Sequence, residues 1–185
     1  MRISSESFRV FYYCFLLALG ITRLLELKRA KRNLRLLLQN GGQEFSPEHY
    51  PWMVAFHATW FLACILEASL RIQPPSLPIF LLAFALFLIG FSLRLSAIWN
   101  LKERWTTRIV VLPQAPLITK GPYRYLRHPN YCGVVLEIFS VPLLAGAWVT
   151  AVLFSLRHIP LLALRIQKEE KAWREWGEVK GIHEG

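Results

Sequence analysis

Two short runs concentrate the residue types that do chemistry. The first is Gly121-Pro122-Tyr123-Arg124-Tyr125-Leu126-Arg127-His128-Pro129-Asn130-Tyr131-Cys132-Gly133. Gly-Pro sets a turn, and Pro129 suits the first position of a helix with His128 just ahead of it. Arg127, His128 and Tyr131 then surround a helix N-terminus, where unpaired backbone N–H groups and the helix dipole favour a negative group. The same residues would equally serve as a basic, aromatic loop that grips lipid headgroups. The second run is Arg165-Ile166-Gln167-Lys168-Glu169-Glu170. As a helix it puts Arg165 and Glu169 one turn apart on one face. Adjacent carboxylates beside apolar sequence are costly unless they face water, a cation or hydroxyl donors. They suit a ribose hydroxyl or the amino group of a nucleoside cofactor; a solvated helix end is the plainer reading.

The elements that must position these runs are apolar blocks. Val10 to Thr22 is uncharged and aromatic-rich between Arg9 and Arg23, and reads as a membrane helix in which Glu26 pairs with Arg23. Lys28 to Gln39, ahead of Asn40-Gly41-Gly42, reads as a separate basic helix ended by glycine. Tyr50 to Leu66 and the charge-free stretch from Ile72 to Leu93 supply further spans, joined through Pro74-Pro75 and Pro78. Asn100 to Pro129 is polar and basic, with turn signals at Pro113, Pro116 and Gly121-Pro122. From Tyr131 to Leu164 the chain is apolar except for Glu137, Arg157 and His158. As one helix that stretch would run roughly 50 Å, too long for a ~30 Å hydrocarbon core. Ala145-Gly146-Ala147 is the expected turning point of a hairpin that returns the second run to the side of the first.

The class that follows is all-α: a polytopic membrane helix bundle of about five spans with a C-terminal helical hairpin. It forms one domain over 1–185, with a cofactor-binding core over about 100–178. Hydrophobic residues make up 54%, gathered into blocks, and the net charge of +10 lies in the gaps between them. That placement fits membrane lipids and argues against nucleic acid. Lys and Arg cluster in the first gap (Arg23 to Arg35), the third (Arg94 to Arg127) and the tail (Arg165 to Lys180), against Arg2, Arg9 and Arg71 opposite. The positive-inside rule then puts the N-terminus outside and the C-terminus in the cytoplasm. Trp173 and Trp176 suit the interface. All 12 acids are glutamates, which removes Asp-based metal and phosphoryl-transfer sites. Cys14, Cys64 and Cys132 are too far apart for a zinc pattern and odd in number for a disulfide framework. His49 and His57 lack a third ligand nearby, so no metal is expected. No Gly-x-Gly follows a strand, which excludes a soluble Rossmann-type reading.

Together the two runs resemble the isoprenylcysteine carboxyl methyltransferase family. The pattern is Gly-Pro-Tyr-x-x-x-Arg-His-Pro-x-Tyr-x-Gly, then Arg-x-x-x-Glu-Glu after a hydrophobic hairpin. Arg23-Leu24-Leu25-Glu26-Leu27, Arg32-Asn33, Glu48 to Val54, Trp105 to Arg108 and Val111-Leu112-Pro113 extend the likeness to a bacterial branch. That branch includes enzymes thought to methylate hydroxyls of long-chain pyrones and related polyketides. The resemblance implies a membrane-embedded enzyme using S-adenosyl-L-methionine on a lipophilic small-molecule or prenylated acceptor. It implies Tyr123, His128, Pro129, Tyr131, Glu169 and Glu170 around the cofactor, with Arg165 steadying the glutamates or the cofactor carboxylate. Arg127, then Arg124 and Arg157, are the candidates to hold a carboxylate or acidic hydroxyl while it is methylated. Glu137 faces the cofactor cavity or a polar partner. Arg157-His158 departs from the neutral stretch expected there, and either pairs with Glu137 or points at the substrate. Phospholipid N-methylation, non-catalytic lipid binding and an NADPH-dependent membrane reductase are the competing readings. Oligomeric state is not legible.

Overall fold

A computed structural model describes residues 5–71, 74–113 and 115–177. Arg2, Lys180, position 178 and the side chain of Trp176 lie outside the described residues. The described residues form five α-helices: α1 (Ser5–Gln39), α2 (Tyr50–Leu70), α3 (Leu77–Leu101), α4 (Pro129–Leu143) and α5 (Trp148–Ala172). Proline sits in the first turn of α2, α3 and α4, where its missing N–H has no partner to lose. Four helices are long and apolar enough to cross a membrane: those within Glu6–Gln39, Pro47–Leu70, Leu77–Arg104 and Trp148–Glu175. Their outward faces carry exposed Leu, Ile, Val and Phe, such as Leu17, Leu62, Leu81, Leu88 and Leu153. A soluble globule would bury such residues, so this surface fits lipid.

The expected hairpin is present: α4 and α5 are joined through residues 144–147, with Gly146 at φ +72°. One sequence expectation is corrected at α1. The first span and the basic segment after it are one continuous 35-residue helix. No proline interrupts it, and Arg23 and Glu26 turn inward to partners, so the charged midsection carries no penalty that would break it. The helix ends in a Schellman motif, with Gly41 at φ +83°, Gly42 N–H donating to the Leu37 carbonyl at 2.8 Å and Gly41 N–H to Leu38 at 3.2 Å.

A second difference is a small antiparallel ribbon, β1 (Gln43–Phe45) with β2 (Ile109–Val111), paired Gln43 to Val111 and Phe45 to Ile109. Ile109 and Val111 pack with Phe45 on Ala172 and Trp173 of the C-terminal segment. The ribbon thus clamps the end of α5 against the polar loops.

The core lies where α1, α2, α3 and the hairpin meet, around Tyr12, Leu16, Trp60, Cys64, Phe87, Ile138 and Val141. Helices α3 and α4 touch backbone to backbone: a Cβ on Gly133 would sit 2.5 Å from the Gly90 carbonyl oxygen. Pro142 lacks the N–H that would bond the Ile138 carbonyl four residues back. The Trp60 indole N–H donates to that carbonyl at 3.2 Å, and the Tyr12 hydroxyl donates to Val141 at 3.2 Å. At the end away from the polar loops, Glu67 of α2 accepts from the Val149 and Thr150 amides at 3.2 and 2.7 Å. A carboxylate there caps α5 and complements its dipole.

Candidate active site

The two chemistry-bearing runs converge at one end of the bundle. Gly121 turns the chain at φ +59°, and a Cβ there would meet the Asn100 side chain at 2.5 Å. The short 3-10 turn Gly121–Arg124 leads to His128 and to buried Pro129, which opens α4. That start places Tyr131 against α5. Its hydroxyl donates to Glu169 in a short hydrogen bond and accepts from Arg165 Nε at 2.8 Å. Arg165 Nη2 donates to the Thr107 carbonyl at 2.7 Å, just upstream of β2, so the ribbon fixes the guanidinium. The His128 ring stacks on Tyr131 at 5.3 Å and 16°. His128 Nε2 lies 3.6 Å from Glu170, whose side chain is 44% exposed. Burial, with the nearby Glu169 charge adding to it, pushes the Tyr123 hydroxyl above the ordinary tyrosine range. The phenol is therefore neutral and remains a donor. Asn130 Oδ1, next to these groups, is buried without a partner.

Of the residues singled out for the cofactor, Tyr123, His128, Tyr131, Arg165, Glu169 and Glu170 thus lie together, with Pro129 setting the helix start. The three acceptor-holding candidates do not join them. Arg124 and Arg127 are exposed on the turn ahead of α4, and Arg157 is exposed on α5. Arg124 and Tyr125 border an open groove of about 800 Å³ against the Leu88, Ile89, Ser92 and Ser96 side of α3.

A second polar cluster lies deeper. Arg23 donates to Glu26 at 2.6 Å and to Glu137 at 2.7 Å. Arg94 donates to Glu26 at 2.5 Å, and its Nε lies 3.3 Å from Glu137. Two guanidinium groups and two carboxylates make a neutral quartet joining α1, α3 and α4, closed by the Gly90–Gly133 approach. The Arg23–Glu26 pair follows the sequence expectation. Glu137 has polar partners, but they are Arg23 and Arg94 rather than Arg157 or His158. His158 instead stacks on Phe56 at 5.3 Å, buried from solvent. Arg94 was legible in the sequence only as a flanking charge; its spacing from Gly90, one helical turn away on an otherwise apolar span, is the signal that marks it as inward-facing. Asn33 stands out in the sequence only as part of the Arg32-Asn33 pair: in the fold its amide donates to the Lys102 and Trp105 carbonyls at 3.0 and 2.7 Å, tying α1 to the polar loops. Among the described residues, no group of three or more His, Cys, Asp or Glu is arranged to hold a metal ion.

Comparison with known proteins bears on this geometry. The model of the isoprenylcysteine carboxyl methyltransferase family matches residues 81–175, which span α3, the polar loops and the hairpin. The chain is 36% identical to the uncharacterized protein YpbQ of Bacillus subtilis over 166 residues, 89% of this chain and 98% of that one. It is 26% identical to an uncharacterized protein of Haemophilus influenzae over 145 residues, 76% of this chain and 82% of the other. No solved structure matches.

Proposed function

The chain belongs to the isoprenylcysteine carboxyl methyltransferase family, and from that premise we propose that this integral membrane protein methylates an oxygen of a lipophilic acceptor with S-adenosylmethionine. The observation that carries the reading is the Tyr131–Arg165–Glu169 assembly beside Glu170 and His128 at one end of an apolar bundle.

The residues present fit such a cofactor. Glu170 offers a half-exposed carboxylate held only loosely by His128, suited to ribose hydroxyls or an ammonium group. The stacked His128 and Tyr131 rings give a flat surface of the kind that purines pack against. Asn130 Oδ1 is a buried acceptor in need of a donor. When bound, S-adenosylmethionine supplies a methyl carbon on a positively charged sulfur with a neutral thioether as leaving group.

The protein's own contribution is alignment and exclusion of water. Arg165, fixed by the Thr107 carbonyl, donates to the Tyr131 hydroxyl, which in turn holds Glu169, so that carboxylate needs no reorganisation on binding. Pro129 and the Gly121 turn fix where His128 and Tyr131 stand. Arg127 and Arg124, exposed at the rim, attract an anionic headgroup or the cofactor carboxylate, and Arg157 is the third candidate for the acceptor. The polar end faces the cytoplasm of a bacterial inner membrane in this reading, where the cofactor is made, with the N-terminus outside.

The test is incubation of detergent-purified protein with methyl-tritiated S-adenosylmethionine and a bacterial lipid extract. The reading predicts label in the organic phase, attached through oxygen. Label confined to phosphatidylethanolamine derivatives would replace it with phospholipid N-methylation. No transfer to any lipid despite bound cofactor would contradict it.

A further inference from the structure

Several cations at the polar end of the bundle are already committed. Arg108 donates to Glu44 at 2.7 Å and lies over the Tyr50 ring at 3.9 Å, and Arg104 donates to the Pro116 carbonyl at 2.7 Å. Arg165 is held by Tyr131 and the Thr107 carbonyl, and Lys168 donates to Glu48 at 2.9 Å. Lys120, Arg124 and Arg127 differ. All three are exposed, and among the described residues no carboxylate pairs with them. The segment from Asn100 to Pro129 carries Glu103 as its single acid, so its positive charge has no counterpart close in sequence either.

Arg124 stands at the mouth of the open groove between α3 and the turn Gly121–Arg124, its guanidinium 5.7 Å from the centre of the Tyr125 ring. Leu88, Ile89 and Leu93 give the groove an apolar wall, and Ser92 and Ser96 lie one helical turn apart along it. Gly121 packs on Asn100, so the turn covers the polar end of the groove and Leu88 marks its deep end. From Leu88 to Ser96 the α3 wall runs ~12 Å at ~1.5 Å per residue, close to the ~15 Å half-thickness of a hydrocarbon core. The groove therefore has the reach of one leaflet. Lipid tails are as apolar as leucine, so such a wall positions a chain without selecting it, and selection falls to the charge at the mouth. A phosphate there meets a guanidinium that suits it in geometry and charge, with Lys120 adding to the field. The ammonium of a zwitterionic headgroup would find no carboxylate.

We propose that this groove is a binding site for one anionic phospholipid, with its phosphate on Arg124 and an acyl chain along the Leu88–Leu93 wall. The lipid is a resident ligand and not the methyl acceptor: His128, Tyr131, Arg165, Glu169 and Glu170 do not line the groove. Tyr123 of the same turn lies instead near Glu169, so the turn separates the lipid from the cofactor-type cluster. The site stands whether or not the chain transfers a methyl group. It commits Arg124 to the lipid and leaves Arg127 and Arg157 as the acceptor candidates.

The experiment titrates detergent-purified full-length protein with dioleoylphosphatidylglycerol or dioleoylphosphatidylcholine and reads bound lipid by native mass spectrometry. Wild type is compared with Arg124→Gln, Ser92→Phe and Arg29→Gln, all at exposed positions, and thermal unfolding verifies that each is folded. The first phosphatidylglycerol should bind wild type at least ~10-fold tighter than phosphatidylcholine, as a charge-assisted hydrogen bond provides. Arg124→Gln should bring the two lipids level. Ser92→Phe, which fills the groove and keeps every charge, should also remove the tight site, while Arg29→Gln on α1 leaves it intact. Equal affinity of the wild type for both lipids would overturn the proposal. So would a tight site surviving in Ser92→Phe, or equal losses in Arg29→Gln and Arg124→Gln, which would mark diffuse attraction to a basic surface. Transfer of label from methyl-tritiated S-adenosylmethionine to phosphatidylglycerol would overturn it as well, by making the lipid an acceptor.

Discussion

Glu137 shows what a single charge does inside this bundle. Its carboxylate meets Arg23 at 2.7 Å and Arg94 at 3.3 Å, and one of its oxygens is buried without a hydrogen bond. Such a group is stable only because the quartet is neutral; removing one member leaves an uncompensated charge in a low-dielectric interior. Glu137→Gln should therefore cost about 3–5 kcal/mol of stability, read as a fall in thermal unfolding temperature in detergent. Adding Arg94→Met restores neutrality, so the double variant should be more stable than the sum of the single losses predicts. Residue types and short spacings were legible here, and long-range partnerships were not. Arg23 and Glu26 are a turn apart, and the sequence pairs them. Arg23 and Glu137 are 114 positions apart, and no periodicity says which faces of two apolar helices will meet. The sequence offers Glu137 as a partner for Arg157 or His158 because they lie in the same apolar stretch, whereas packing gives Glu137 to Arg23 and Arg94, sets His158 on Phe56 and leaves Arg157 exposed.

At the scale of elements, α4 is a helix with a built-in fault. Pro142 leaves the Ile138 carbonyl without its helical donor, and the Trp60 indole of α2 fills the gap. Trp60→Phe should cost about 1–3 kcal/mol by stranding that carbonyl. In a Pro142→Ala background the helix supplies its own donor, so the same substitution should lose only its packing component; a double-mutant cycle by chemical denaturation measures the difference. The helices, the glycine stop of α1 and the hairpin turn were readable because apolar block length, Gly-Gly and Ala-Gly-Ala are strong local signals. The ribbon was not, since strands of three residues are too short to show a period-two pattern. Nor was the continuity of α1, because charged residues in a membrane helix look like its end until their inward partners are known.

At the scale of the whole molecule, one topological fact makes the site. The chain leaves the polar end along α4, turns at residues 144–147 and returns along α5, so that Tyr131 and Arg165 meet at 2.8 Å. The Gly90–Gly133 approach and the Glu67 cap hold the hairpin at mid-depth and at its far end. The orientation proposed from Lys and Arg placement is checked with a single cysteine at Arg127 or at Arg71, in a background in which Cys14, Cys64 and Cys132 are replaced. In right-side-out vesicles an impermeant maleimide should label Arg71→Cys and spare Arg127→Cys, and inverted vesicles should show the reverse. The central claim is that the end of the bundle built by Tyr131, Arg165 and the glutamate pair holds S-adenosylmethionine. Its most direct test is calorimetric titration of that molecule into detergent-purified protein, beside His128→Ala, Glu170→Ala and Tyr131→Phe. The account predicts saturable binding by the wild type, weakened at least ~10-fold in each variant as charge-assisted and stacking contacts are lost. Absence of binding by folded wild type, or equal binding by all four proteins, would contradict it.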